Sequence, residues 1–219
     1  LLSVDGNTEV IELTNTDKIF ANDLEIILRR LRAFSQSHQG YDFSKEMSVA
    51  MTQKPSVEWL EKAAGYAEAG HFSDAALRAY FTLCELYSHR TSDCFRAGLL
   101  ALNQRDFSMA RVALNRAIQR APANAEALYY LGEIESLSGQ HQQAAAYYQQ
   151  ALPLLVSADD FKSLHLRASL LSKLGKNQEA NSVYEDLLKR HPQAVDIKAD
   201  YVASLVDQQS YSRVLHVLQ

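Results

Sequence analysis

Apolar residues recur along this chain at the spacing of a helix face, in paired runs separated by a short polar break. The clearest pair runs from Ala125 to Leu154. Leu128, Leu131, Gly132 and Glu135 fall on one face of the first run at helical spacing. Gly139 stands where that helix should stop, and Ala144, Tyr148 and Ala151 recur along the second. Large residues set beside small ones let two helices approach closely. Neither helix buries its apolar face alone, so the pair requires neighbours.

The chain supplies them at a fixed interval. Gly98 and Gly132 are 34 residues apart, as are Ala110 and Ala144, and Ala117 and Ala151. Trp59, Ala63, Tyr66, Gly70 and Ala75 fit the same template upstream. Leu164, Ala168, Leu171, Gly175, Ala180, Tyr184 and Pro192 fit it downstream, displaced by two residues. The run from Pro153 to Asp160 absorbs that displacement, since proline ends a helix and Asp159 or Asp160 can cap the next. Tyr201, Leu205, Tyr211 and Val214 begin a last copy. The copies are expected at residues 56–90, 91–124, 125–160, 161–194 and 195–219, the last truncated.

Upstream the pattern changes. Leu2 and Val4 alternate, Asp5-Gly6 is a turn dipeptide, and Val10 and Leu13 lie in a second extended run. Residues 1–20 therefore predict a β-hairpin, or the end of a truncated α/β domain. Two helices follow within residues 21–55, one from about Asp23 to Ser37 with Leu24, Ile27, Leu28 and Leu31 on its apolar face, and one from Phe43 to Gln53. They are candidates for a degenerate copy of the repeat.

With Trp59, Tyr66, Gly98, Gly132, Ala144, Tyr148, Pro122 and Pro192 in its diagnostic places, the segment from Ser56 to Gln219 resembles the tetratricopeptide repeat. Lys62 and Arg167 depart from the family's leucine, and Cys94 from its tryptophan. The resemblance implies an all-α fold, a right-handed α-solenoid of helix-turn-helix repeats, here preceded by the short β-hairpin. It also implies a concave groove lined by the first helix of each repeat. Its lining residues lie three before, and one, four and five after, the small residue of that helix. Leu60, Ala64 and Ala67 then face the groove in the first repeat, Phe95, Leu99 and Leu102 in the second, Tyr129, Glu133 and Leu137 in the third, His165, Ser169, Ser172 and Lys173 in the fourth, and Ala199, Ala203, Val206 and Asp207 in the fifth. Phe95 and Tyr129 are the expected anchors for a protein or peptide partner, against the plainer alternative that neighbouring helices cover this stripe. The lysines and asparagines with which some members clamp a peptide carboxylate are missing from these places, which argues against a chaperone-tail adaptor.

Composition narrows the function classes. The chain has 219 residues, 47% hydrophobic and 22% charged, which suits a packed core rather than disorder. Its formal charge of −4 has no basic blocks, so no nucleic-acid contact is expected from this segment. No run is long and apolar enough for a membrane span. A start at Leu1 rather than Met leads us to expect a fragment. No phosphate loop, HExxH, CxxC or nucleophile elbow is present, and the seven histidines are scattered. No catalytic residue, cofactor or metal is therefore expected. Cys84 and Cys94 fall near the facing ends of two antiparallel helices, where they either form a disulfide or pack as two small apolar residues. A disulfide would place the chain in an oxidising compartment such as the bacterial periplasm; otherwise a cytoplasmic location is equally open.

Three functions fit these features. The first is a non-catalytic scaffold holding a protein or peptide in the groove. The second is the C-terminal sensory or effector region of a bacterial ToxR/CadC-type transcription activator, which Leu1 to Phe34 followed by helical repeats resembles. The third is the repeat portion of a larger enzyme or of an envelope polysaccharide-export protein. Oligomeric state is not read from the sequence.

Overall fold

Helices of 8 to 14 residues joined by short turns bury their apolar faces by packing antiparallel in successive pairs. A computed structural model describes residues 24–218, and among these residues every regular element is helical. The helices are α1 (Leu24–Gln36), α2 (Gly40–Met51), α3 (Val57–Ala69), α4 (Ser73–Leu86), α5 (Thr91–Asn103) and α6 (Phe107–Arg120). They continue as α7 (Ala125–Leu137), α8 (His141–Ala151), α9 (Phe161–Lys173), α10 (Asn177–Arg190), α11 (Val195–Asp207) and α12 (Tyr211–Leu218). A 3-10 turn, Leu152–Leu155, carries Pro153 after α8. The β-hairpin expected over residues 1–20 lies outside the described residues. The second N-terminal helix starts three residues before the expected Phe43, because the turn at His38 leads straight into it.

Two compact units divide the chain, the first ending at Arg120 and the second beginning at Ala121. In the first, α1 pairs with α2, α3 with α4 and α5 with α6, while α1 also packs on α3 and α4 on α5. The Trp59 indole N–H donates to the Leu24 carbonyl at 2.6 Å and ties α3 to the start of α1. In the second, α7 pairs with α8, α9 with α10 and α11 with α12, and α10 packs on α11.

One backbone device recurs at every pairing. The chain leaves the first helix through a residue with positive φ, and the next N–H bonds back five residues. His71, Arg105, Gly139, Gly175 and Gln209 occupy this place, with φ between 56° and 77°. The bonds from Phe72 to Ala67, Asp106 to Ala101, Gln140 to Glu135, Lys176 to Leu171 and Ser210 to Leu205 satisfy carbonyls that the helix end leaves open. The α1–α2 turn is built the same way, with His38 at φ 56° and Gln39 N–H bonding to Phe34. Only Gly139 and Gly175 take this conformation without a Cβ penalty. Caps define the other ends: Ser56, Asn124 and Asp160 accept from the backbone N–H three residues on.

Within two pairs, α5–α6 and α7–α8, a missing side chain sets the distance. A Cβ at Gly98 would lie 2.6 Å from Leu114 Cγ, and one at Gly132 would lie 2.3 Å from Tyr148 Cε1. The core of each unit is therefore small residues opposed to large ones: Gly98 to Leu114, and Gly132 to Tyr148.

Candidate partner-binding cleft

In the second unit the first helices of successive pairs, α7, α9 and α11, present one side to a shared cleft of about 630 Å³. Tyr129 and Glu133 of α7 form one wall. Ser169, Ser172 and Lys173 of α9 form the middle, and Asp200, Ala203, Ser204 and Asp207 of α11 form the other wall. The spacing explains the convergence: 200, 203, 204 and 207 are i, i+3, i+4 and i+7, a single stripe of a helix. Tyr184 reaches in from α10, its hydroxyl 3.3 Å from Ser169 Oγ. A second recess of about 210 Å³ shares Tyr129, Ser169 and Asp200 and adds Glu126, Lys162 and His165. Small side chains at 169, 172, 203 and 204 leave room for a backbone to approach.

The lining is polar and internally bonded. Lys173 Nζ lies 3.0 Å from Glu133, which also accepts from the Tyr148 hydroxyl. His165 Nε2 lies 2.7 Å from Asp200 Oδ2, and Lys162 Nζ 2.6 Å from Glu126. Ser172 and Ser204 hydroxyls meet at 2.7 Å, joining α9 to α11. Burial, and then the nearby Glu133 and Asp200 charges, push the Tyr129 hydroxyl well above the ordinary phenol range, so it stays a neutral donor. Tyr148 is held up in the same direction by burial and by its bond to Glu133. Four carboxylates (Glu126, Glu133, Asp200, Asp207) face two ammonium groups (Lys162, Lys173), an acidic excess. Such a surface offers hydrogen bonds and charge rather than apolar contact. Among the described residues there is no group of three or more His, Cys, Asp or Glu side chains placed to hold a metal ion.

Models of the tetratricopeptide repeat match residues 95–159 and 162–194. Helix pairs, their spacing and their turn geometry agree with that match. The chain carries tetratricopeptide repeats. Human tetratricopeptide repeat protein 7B is 31% identical over 143 residues, which cover 63% of this chain but only 16% of that relative. A tetratricopeptide repeat protein of Parabacteroides merdae superposes with a TM-score of 0.59 at 14% identity, over 96% of this chain and 77% of that one. YrrB, described as a TPR protein with an unusual peptide-binding site, superposes with a TM-score of 0.52 at 19% identity, over 80% of this chain and 88% of its own. At these identities the two structures establish the fold. These similarities lend nothing to the activator resemblance, whose residues lie mostly outside the described ones.

The chain places the groove residues expected from sequence in four different settings. Tyr129, Glu133, His165 and Lys173 converge on the second unit's cleft and its adjoining recess. Phe95, Leu99 and Leu102 lie on α5 of the first unit, each half-buried. Leu60 is a correction: it has no exposed surface, and Ala64 and Ala67 of the same stripe have none either. Helix α3 packs on α1 as well as on α4, so this face of α3 is core and no partner reaches it. Leu137 is a second correction. It is 68% exposed but stands at the last turn of α7, outside the cleft lining.

Several lining residues escaped the sequence reading. On α11 the predicted stripe was Ala199, Ala203, Val206 and Asp207, whereas Asp200 and Ser204 line the cleft in place of Ala199 and Val206. The polar i, i+3, i+4, i+7 pattern from Asp200 was the available signal. Tyr184, from a second helix, had none. Cys84 and Cys94 sit at the facing ends of α4 and α5 and are joined in the structure, Cα atoms 4.7 Å apart.

Proposed function

We propose that this chain is a non-catalytic interaction scaffold whose second unit holds a polypeptide segment of a partner in the α7–α9–α11 cleft. The observation that carries this reading is the convergence of Tyr129, Glu133, Lys173, Asp200 and Asp207 around a floor of small hydroxyl and alanine side chains. A partner's backbone fits against that floor and its side chains reach the charged walls. The acidic excess favours a segment with basic side chains, which bind more weakly as salt rises. A solved repeat protein of similar fold is itself described as having an unusual peptide-binding site. Repeat proteins of this family serve generally as scaffolds, and no enzyme family is among the similarities described above.

A random-peptide selection against the whole chain tests the reading. Selected peptides should be enriched in Lys or Arg, and Ala203→Trp, which fills the cleft from an exposed position, should weaken them at least about tenfold with the helical signal intact. Tyr129→Ala should weaken them by roughly 2 kcal/mol. Peptides that bind both variants as tightly as the parent chain would show that the cleft is not the binding site.

A further inference from the structure

Cys84 and Cys94 have no exposed surface and are joined as a disulfide that bridges α4 to α5. Arg120, the last residue of α6, is directed at this pair. Its Nη1 lies 2.9 Å from Cys94 Sγ, 3.9 Å from Cys84 Sγ and 3.4 Å from the Tyr87 carbonyl. Neighbouring arginines behave differently: Arg116 pairs with Glu85 at 3.0 Å, and Arg90 with Glu61 and Asp93. Among the described residues Arg120 has no carboxylate within ion-pair reach. A guanidinium gains little from a neutral disulfide sulfur, which is a weak acceptor. A thiolate in the same place is a full counter-charge, and a cation beside a cysteine stabilises the thiolate over the thiol. The arrangement fits the reduced state electrostatically better than the oxidised one.

We propose that the Cys84–Cys94 bond is a redox-responsive clasp, with Cys94 as the leaving thiolate that Arg120 stabilises. A thiolate of a dithiol reductant attacks Cys84 Sγ. The S–S bond breaks and its electron pair departs on Cys94 Sγ, the sulfur nearer the guanidinium. The reductant's second thiol loses its proton to solvent and attacks its own sulfur in the mixed disulfide, and Cys84 leaves and takes up a proton. The reductant ends as a cyclic disulfide, and the protein, two electrons richer, holds a Cys84 thiol and a Cys94 thiolate. A more acidic leaving thiol departs faster, so attack at Cys84 is the favoured direction. Both sulfurs are shielded, so exchange passes through opening of the turn from Tyr87 to Arg90, whose Ser88 and His89 are exposed. Once reduced, α4 and α5 lose their covalent link, and that turn is held by the Arg90 ion pairs and by Arg120 on the Tyr87 carbonyl. The proposal stands independently of the cleft.

The test uses the whole chain equilibrated in mixtures of reduced and oxidised dithiothreitol, with thiols counted by alkylation and mass. Arg120→Met should need about tenfold more reduced reagent for half-reduction than the parent, and Arg120→Lys should fall between. A purely structural role would also weaken the fold, so a second measurement isolates the charge. In Cys84→Ser, alkylation of Cys94 against pH should reach half its maximal rate about one pH unit below the ordinary thiol value of about 8.5, and adding Arg120→Met should restore that value. In Cys94→Ser, Cys84 should be the less acidic thiol. Amide exchange from Tyr87 to Asp93 should rise on reduction. An unchanged midpoint in Arg120→Met, an ordinary Cys94 profile, or a Cys84 more acidic than Cys94 overturns the proposal. So does a pair that stays unlinked in excess oxidised glutathione. Should Arg120→Met fail to fold, the Cys84→Ser profile decides alone.

Discussion

Replacing Gly132 by alanine puts a methyl group 2.3 Å from Tyr148 Cε1, 2.7 Å from Cδ1 and 2.9 Å from Cζ. Ordinary contact begins near 3.4 Å, so the ring must move by about 1 Å. Tyr148 has little freedom to do so. It is 3% exposed and its hydroxyl donates to Glu133, which in turn pairs with Lys173. Overpacking of this kind costs about 1–3 kcal/mol, and a lost hydrogen bond about 1 more. Against this, alanine gains up to about 1 kcal/mol over glycine inside a helix. The balance is a loss of about 2 kcal/mol. Gly65 is the control, a helical glycine in α3 whose added Cβ meets nothing within 4 Å. Gly65→Ala should stabilise by about 0.5–1 kcal/mol, the opposite sign for the same chemical change. Urea unfolding followed by far-ultraviolet circular dichroism compares the two. The single tryptophan, Trp59, reports the first unit, so the second is followed by amide exchange in α7 and α8. A Gly132→Ala chain as stable as the parent, with unchanged protection in those helices, would refute the close-approach argument.

Two further outcomes follow from burial. Leu60→Ala should cost about 2–5 kcal/mol, because it empties a fully enclosed site, and should leave peptide binding by the folded chain unchanged; a surface-like loss below about 0.5 kcal/mol, read from the urea midpoint, would return Leu60 to the groove. Buried tyrosines should make the fold sensitive to alkali. Burial, aided by a bond to Glu185, pushes Tyr201 up to about 12, and Tyr80, Tyr129 and Tyr148 are raised further. A raised folded value means the native state holds the proton more tightly than the unfolded one, so this stability is complete below about pH 10 and is lost as pH rises through about 12. Phenolate absorbance should therefore appear in two phases, the later one coinciding with loss of helix; a single phase near pH 10 with the helices intact would contradict it.

Much of the fold was legible because the repeat core is written in residue size. Gly98 and Gly132 recur 34 residues apart opposite large side chains, as buried Ala110 and Ala144 recur along the second helices, and that alternation is visible without coordinates. The turns were less legible. Their left-handed residue recurs as faithfully as the glycines do, but four of its six occupants are His38, His71, Arg105 and Gln209, which carry no turn signature. Leu60 was misplaced because a stripe on one helix does not reveal what packs over it, here α1. On α11 two of the four stripe positions were misassigned, Ala199 and Val206 in place of Asp200 and Ser204, because no strong small-residue marker fixes that helix's lining face. Tyr184 enters the cleft from a helix of the other class, through a contact set by packing rather than by period.

The most direct test of the cleft as the partner site is site-specific photocrosslinking in the source cell. A photoreactive phenylalanine analogue is placed in turn at Ser169 and Ala203, which line the cleft, and at Gln150, exposed on α8 and outside it. One crosslinked polypeptide is expected from positions 169 and 203, lost on Lys173→Ala combined with Tyr129→Ala, and none from 150. Crosslinks from position 150 with silence at 169 and 203 would contradict it.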